Sequence, residues 1–472
     1  MQKNKLIKHT AIMTAVNLIM RAGGVGFNAY LTSKIGSSGM GLFQLVMTVY
    51  SLATTFSTAG IRLATTRVTV EINTLKKNDM SKSIAMCVTY AGICGCLIGF
   101  LLFTFSDFIS IRWISDTQTA LPLRILSLSL PFISMSSALG GYFTAVEKIP
   151  QYSTVQMLEQ IFKIMVTVTI LCLQPVNSTL FSCIAIVTGM TAAEIFSFAL
   201  SSVLKKKTMT QTTSKPMLET GKMLRVALPD AAGTCARSIL LTIEHLLIPK
   251  GFRKSGEKSD AALAAYGNIH GLALPVLLFP GAILSSFSAL IVPELAAMNE
   301  RKEKKKINSA VSEGLKKSLE FSIVCAVFMA FFAPAISKIV YKTNEAVMYI
   351  RILSPLVPVM YTDMITDGML KGLDQQISSM RYNIIDSALC VALVYLLLPK
   401  YSVKGYIFVL YVSEIINFYL SFGRLIKICE IKVFSKLQAG SSRAFRRKKC
   451  SDALQECESR AFQAREKHSQ VL

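Results

Sequence analysis

The sequence predicts an all-α integral membrane protein built as two six-helix bundles related by a pseudo-twofold axis, and three observations predict it. The 472-residue chain is 52% hydrophobic and only 17% charged, with a mean hydropathy of +0.48, which is too apolar for an ordinary soluble fold. Its apolar residues gather into twelve runs long enough to cross a bilayer. Regularly alternating strands are absent, and backbone amides cannot stay unpaired in lipid, so helices are the spanning element. Third, the chain repeats itself. Arg124-Ile-Leu-Ser127, with Pro131, Gly141, Glu147 and Glu159, returns without a gap 227 positions later as Arg351-Ile-Leu-Ser354, Pro358, Gly368, Asp374 and Asp386. Glu194-Ile-x-x-Phe-x-Leu200 likewise returns as Glu414-Ile-x-x-Phe-x-Leu420. Such polar marks are rare inside apolar helices, and composition alone would not keep them in register. Two like-oriented halves around a pseudo-twofold axis are a common build for transporters that open alternately to either side.

The runs lie near 10–31, 40–64, 83–105, 119–142, 154–173, 179–203, 223–249, 263–292, 318–340, 347–370, 380–399 and 403–427. The first follows a basic start but is long, carries Arg21 and lacks a small-residue cleavage site, so it reads as a span and not as a removable signal. Spans one to six form an N-terminal lobe, 1–204. The polar, unpatterned stretch within 205–222 is a cytoplasmic linker, and 223–430 is the C-terminal lobe. Between spans eight and nine, Glu300 to Lys317 is charged but carries Ile307, Ala310, Val311 and Leu315 at helical spacing, which predicts an amphipathic helix on the inner membrane surface. Hydropathy collapses over 431–472, and this basic cytoplasmic tail, with Arg443 to Lys449, is expected to be partly disordered and able to touch anionic membrane lipids.

An inner amino terminus puts Lys3, Lys5, Lys8, Arg67, Lys76, Lys77, Lys82, Lys205 to Lys207 and Arg301 to Lys306 on the cytoplasmic side, as insertion favours. The expectation is a multi-pass protein of the plasma membrane with both termini cytoplasmic. One loop runs against it: residues 250–260 fall outside yet hold Lys250, Arg253, Lys254 and Lys258. The net charge of +23 is accounted for by such loops, which argues against nucleic acid as a partner. Eight of the eleven cysteines lie in predicted spans and none form the CxxC spacing of a zinc or redox site.

An ionised side chain inside a bilayer costs at least ~2.5 kcal/mol, so each one faces a partner, a cavity or a substrate. Arg21, beside Gly23, Gly24 and Gly26, lines a cavity or pairs with Asp230 or Glu159. Arg237 lies two turns from Asp230 on one helix face, as a salt bridge or a substrate contact. Arg62 does either, or snorkels to headgroups. Glu159 and Lys163, four apart, favour mutual neutralisation. Asp386, at the repeat-equivalent place, has no such lysine and could exchange a proton or hold a cation. Asp363 and Asp367, also four apart, would repel if both were ionised; they bind a cation, share a proton or border a vestibule. Glu194 and Glu414 hold matching places with a shared structural role, and His270 with Asn268 reads as packing. HExxH, GxSxG and GxxxxGK[ST] are all absent, so no catalytic residue, metal or cofactor is assigned.

Gly60-Ile-Arg-Leu-Ala-Thr-Thr-Arg-Val-Thr-Val-Glu71, the stretch Leu126 to Ile161 with Gly141-Tyr-Phe143 and Pro150, and Gly372-Leu-Asp374 to Asp386 resemble segments of the stage V sporulation protein B family, over essentially residues 5–430. The resemblance implies the multidrug, oligosaccharidyl-lipid and polysaccharide exporter superfamily. It also implies two six-helix lobes around a central cavity, movement of polyprenyl-linked saccharide precursors, and a link to spore cortex peptidoglycan. The chain departs from the family in having Gly140 where a basic residue is common, and a polar tail where many members have two more spans.

The reading is thus a flippase or exporter for a polyprenyl-pyrophosphate-linked saccharide, not an enzyme, in which Arg21, Arg62 and Arg237 bind substrate. Coupling to H⁺ or Na⁺ falls to Glu159, Asp386, Asp363 and Asp367. The alternatives are a cation-coupled multidrug antiporter of the same fold, which wants an acidic cavity, and a membrane-embedded glycosyltransferase or ligase, which wants larger outer loops.

Overall fold

The computed structural model describes residues 2–75, 80–173, 179–208 and 220–429, with side chains described except at 2–17, 73–75, 149, 179, 207–208 and 220–230. The 431–472 tail and most of the 205–222 linker lie outside the described residues. Within them the chain is helices joined by short turns, without a strand.

Nine helices are long and apolar enough to cross a membrane among the described residues, and a tenth counts if the bent pair Thr117–Ser127 and Leu130–Ala145 is one span. Two of the nine, of 55 and 54 residues, would each run well over twice the ~30 Å hydrocarbon thickness if straight. Each is broken. Gly36 takes φ 68°, ψ 178°, a conformation open to glycine alone, and Ser402, three residues after Pro399, takes φ 47°, ψ −133°. These breaks turn Gln2–Thr58 into spans one and two and Gln376–Cys429 into spans eleven and twelve. Span two continues past a left-handed Gly60 into Ile61–Leu75.

Spans three, five, six and seven are Met80–Thr104, Ile149–Leu173, Thr179–Thr208 and Thr220–Lys254. Span four joins Ala120–Ser127 to Leu130–Ala145 across a 44° bend at Pro131. Span ten joins Val347–Leu353 to Val357–Gly372 across Pro355 and Pro358. Span eight runs Ser259–Gly267, a π-helical Asn268–Ala273, Leu274–Leu278 and, past Pro280, Gly281–Glu300. Span nine is one helix, Lys304–Tyr341, so the expected surface helix is instead its first turns. Ile307 and Val311 are buried there, and no proline interrupts the helix before Pro334.

The duplication is written in the backbone as well as in the residues. Ser115 and Lys342, 227 apart, both end helices in the left-handed region, at φ 65° and 56°. Glu147 and Asp374, the next pair in that register, both have φ 58°. Span four packs on spans two, three and six, and span ten packs on eight, nine and twelve. A β-carbon on Gly141 would lie 2.5 Å from the Arg62 carbonyl oxygen, and one on Gly368, its repeat partner, would strike Ser288. Lipid is as apolar as leucine, so helices hold one another by such close approach and by buried hydroxyls. Large apolar residues are left on the perimeter, among them Phe331 and Ile339, which are 78% and 79% exposed.

The loops alternate between two ends. One end gathers Gly36, Ser115, Gly256, Lys342 and Ser402; the other gathers Glu147, Lys302 and Asp374. The seam between the bundles is made by spans one and two against seven and eight.

Candidate functional site

A cavity of about 530 Å³ opens at the seam, lined by Thr55, Thr58, Gly60, Arg62, Thr66, Ser137, Thr144 and Thr234. It draws on spans two and four of one bundle and span seven of the other. The left-handed Gly60 interrupts span two here, and Ile61 starts a new helix that carries Arg62. Arg62 Nη2 donates to Thr144 Oγ1 at 3.4 Å, and its guanidinium stands 5.7 Å from the centre of the Tyr152 ring. Ser238 Oγ donates to Thr55 Oγ1 at 3.3 Å across the seam. The Thr66 hydroxyl reaches Gly141 O at 3.1 Å, which ties the walls together. The pocket offers one exposed guanidinium as a donor for a phosphate, while Thr55, Thr58, Thr66 and Thr144 give their protons to main-chain carbonyls and present acceptor oxygens to a sugar's hydroxyls.

The three arginines do not converge on one point. Arg21 Nη1 donates to Leu278 O at 2.8 Å, beside the break at Pro280. It therefore meets neither Glu159 nor a cavity acid in this conformation, and the Asp230 side chain lies outside the described residues. Beside it, an apolar groove of about 860 Å³ runs between spans one, eight and nine, lined by Ala22, Val25, Phe279, Phe328 and Ile339 among others. Arg237 lies one turn from Thr234 in the pocket wall and is within electrostatic range of Asp363, Asp386 and Glu414.

Those carboxylates form the second part of the site. Asp386 accepts from Ser413 Oγ at 2.6 Å, and Asp363 accepts from Asn417 Nδ2 at 3.0 Å. Buried Glu244, from span seven, lies within electrostatic range of Asp386 and Glu414. Asp367 stands apart in its bonding, held by Ser379 at 2.8 Å and Asn383 at 3.4 Å, so it shares no donor with Asp363. Asp363 Oδ1 is buried with no hydrogen-bond partner among the described residues. A bare buried carboxylate oxygen is costly, and a proton or cation would supply what the protein does not. No three metal-ligating side chains meet among the described residues.

The first bundle holds a mirror of this group. Glu159 and Glu194, the repeat partners of Asp386 and Glu414, flank Lys163, and Ser197 bonds to Glu159. Lys163 also lies 5.8 Å from the Phe27 ring centre. In the 227-residue register the second bundle has buried Cys390 where the first has this lysine.

Two features escaped the sequence reading. Glu244 lies inside the seventh apolar run, and only packing brings it to the acids of spans eleven and twelve. The hydroxyl lining is invisible because Ser and Thr are ordinary in membrane helices. His270 does more than pack: its Nε2 pairs with Tyr406 OH at 2.7 Å, while His245 Nδ1 pairs with Tyr266 OH at 2.9 Å. The disputed basic loop also has contacts, Lys250 Nζ donating to Arg112 O at 3.0 Å and Lys254 lying 5.8 Å from the Tyr395 ring.

With the geometry in hand, comparison with known proteins gives concordant results. A family model described as polysaccharide biosynthesis protein matches residues 6–299, and one described as MatE matches residues 255–396. Stage V sporulation protein B of Bacillus subtilis (strain 168) is 23% identical over 412 residues, 85% of this chain and 79% of that protein. Sporulation protein YkvU of the same organism is 18% identical over 366 residues, 75% of this chain and 79% of that one. Among solved structures, lipid II flippase MurJ in an inward closed conformation superimposes with a TM-score of 0.68 at 15% identity, covering 88% of this chain and 87% of that one. An inward-facing multidrug resistance MATE family transporter of the MOP superfamily gives 0.64 at 14% identity, covering 90% and 99%. These likenesses fix the fold: an all-α, multi-pass membrane protein of paired helical bundles.

Proposed function

The chain belongs to the polysaccharide biosynthesis protein family, and from that premise we propose that it is a flippase or exporter moving a polyprenyl-pyrophosphate-linked saccharide across the plasma membrane by alternating access. The observation that carries the proposal is the hydroxyl-lined pocket around Arg62 at the seam. Such a pocket can accept hydrogen bonds from a sugar headgroup through its threonine oxygens, while the lipid tail stays in the bilayer. Arg62 meets the pyrophosphate, its planar guanidinium fork pairing with two phosphate oxygens. Arg237, one turn from the pocket wall, joins it when the lobes shift, and Arg21 does so on leaving Leu278 O.

In this reading residues 1–204 and 223–430 are the two moving lobes, 205–222 is a cytoplasmic linker, and the Arg62 end faces the cytoplasm with both termini. Asp363 and Asp386, with Glu244 and Glu414, take up the coupling H⁺ or Na⁺; the donorless Asp363 oxygen supports this. Asp367 and Glu159 lend charge from beside these sites, Glu159 being held by Lys163. The cargo of a peptidoglycan precursor, and a role in spore cortex synthesis, are supported by the sporulation proteins among its relatives. A multidrug antiporter is the second reading, favoured by the MatE match and by the same acids.

Titration of the purified protein with a polyprenyl-pyrophosphate saccharide tests the pocket. Loss of a charged hydrogen bond costs ~1.5–3 kcal/mol, so Arg62→Ala should weaken binding about 10- to 100-fold, with Arg62→Lys between. Unchanged affinity in Arg62→Ala, or a wild type that binds a lipophilic cation and ignores the lipid, would overturn it.

A further inference from the structure

At the Gly36 end the two bundles touch backbone to backbone. A β-carbon on Gly41 of span two would strike the Leu263 carbonyl oxygen of span eight and come within 3.3 Å of Gly267 N. One on Gly267 would strike Ser37 O and lie 2.7 Å from Gly41 N, and one on Gly271 would lie 2.6 Å from Met40 Cγ. The contact thus runs for more than a turn along both helices, with Met40, Leu45 and Ala262 fully or nearly fully buried around it.

Four polar bonds rim the contact. Glu345, in the turn before span ten, accepts from the Ser37 hydroxyl of the first bundle and from Asn268 Nδ2 at 3.3 Å. Lys250 Nζ reaches Arg112 O at 3.0 Å between the bundles. Asn28 Nδ2 reaches Gly271 O at 3.5 Å beneath them. Span eight departs from α-helix at this place, its π-helical turn Asn268–Ala273 beginning directly after Gly267. A π-bulge rotates the residues on either side of it, which lets Gly267 and Gly271 face span two while Asn268 reaches the Glu345 rim.

We propose that the crossing of Gly41 with Gly267 and Gly271 is the gate that shuts the Gly36 end, and that Glu345 is its latch. The proposal rests on the alternating-access reading and adds where the far side opens. Its chemistry suits a gate. The seal is made of close backbone contact with no buried ion pair among the described residues, so opening it strands no charge in lipid. The latch is exposed at the rim, where water can replace its bonds when the gate parts. The Arg62 pocket at the opposite end is open in the same structure, so one side is sealed while the other is accessible.

The test is made on the full chain in proteoliposomes, with the native cysteines replaced and Met40→Cys as reporter. Met40 is fully buried against Gly271, so a membrane-impermeant maleimide applied from the Gly36 side should label it slowly. Gly267→Val, which cannot restore the contact, should speed labelling at least about tenfold, and Glu345→Gln should speed it by about threefold. Labelling that is equally slow in both variants would overturn the proposal, as would labelling that is already fast with the native gate residues. Glu345→Gln changes only a rim residue and keeps the experiment decisive if Gly267→Val fails to fold. Since no substrate is present, a labelling response in a protein that moves no lipid-linked saccharide would leave the gate standing and sink the cargo assignment instead.

Discussion

At Asp363 a single side chain faces two demands. One oxygen is held by Asn417 and the other is buried without a donor among the described residues. Asp363→Asn keeps a polar group beside Asn417 and removes the charge. Gradient-driven transport should fall by at least about tenfold in that variant, because the charge to be neutralised is gone, while thermal stability should stay within ~1 kcal/mol or rise. A variant that keeps full dependence on the ion gradient would remove Asp363 from coupling. The sequence announced this residue, since a carboxylate in an apolar run is conspicuous. It could not announce the separation from Asp367: spacing puts the two on one face, and only the fold supplies Ser379 and Asn383 to draw Asp367 aside. Arg62 shows the converse. As a charge it was easy to find, but its three readings could be narrowed only when Thr144, Tyr152 and Thr234 were seen around it.

At the scale of the helices, breaks matter more than lengths. Glu147 and Asp374 close spans four and ten in the left-handed region, which costs an L-residue ~1–2 kcal/mol. Glu147→Gly and Asp374→Gly should each raise the thermal midpoint in detergent, by ~0.5–1 kcal/mol of stability after glycine's greater loss of chain entropy. A fall in both would mean that their side chains matter more than their backbone. Gly141→Val should act in the other direction. Its side chain would meet the Arg62 carbonyl, and overpacking of this kind costs ~1–3 kcal/mol. Because Gly141 packs directly behind the pocket, binding should weaken along with stability. Hydropathy marks the gap between 399 and 403, but it cannot reveal that the turn there sets Ser402 at positive φ, or that span eight takes a π-helical turn at 268. Charge likewise misled at 304–317: an amphipathic stripe suggests a surface helix, whereas without an early proline it simply runs on into span nine.

For the molecule as a whole the internal repeat was the most legible feature, because duplication preserves register long after it loses identity. Left-handed turns at 115 and 342, and at 147 and 374, carry the same 227-residue period. What the repeat could not convey is the asymmetry. Lys163 stands between Glu159 and Glu194 in one bundle, while in the other Arg237 reaches the matching acids from the seam. If the halves are true lobes, chains cut within 209–219 and co-expressed should reassemble and transport, with activity within about threefold of the intact protein. Failure of either half to insert without the other covalently attached would count against independent lobes. The central claim is that a cationic, hydroxyl-lined seam carries a lipid-linked sugar and not a free cation. It is met most directly by purified protein in sealed liposomes, offered a fluorescent polyprenyl-pyrophosphate saccharide and, separately, a cationic dye. The account predicts that the lipid crosses, that Arg62→Ala slows it at least about tenfold, and that the dye stays where it was put. Movement of the dye with no movement of the lipid would contradict it.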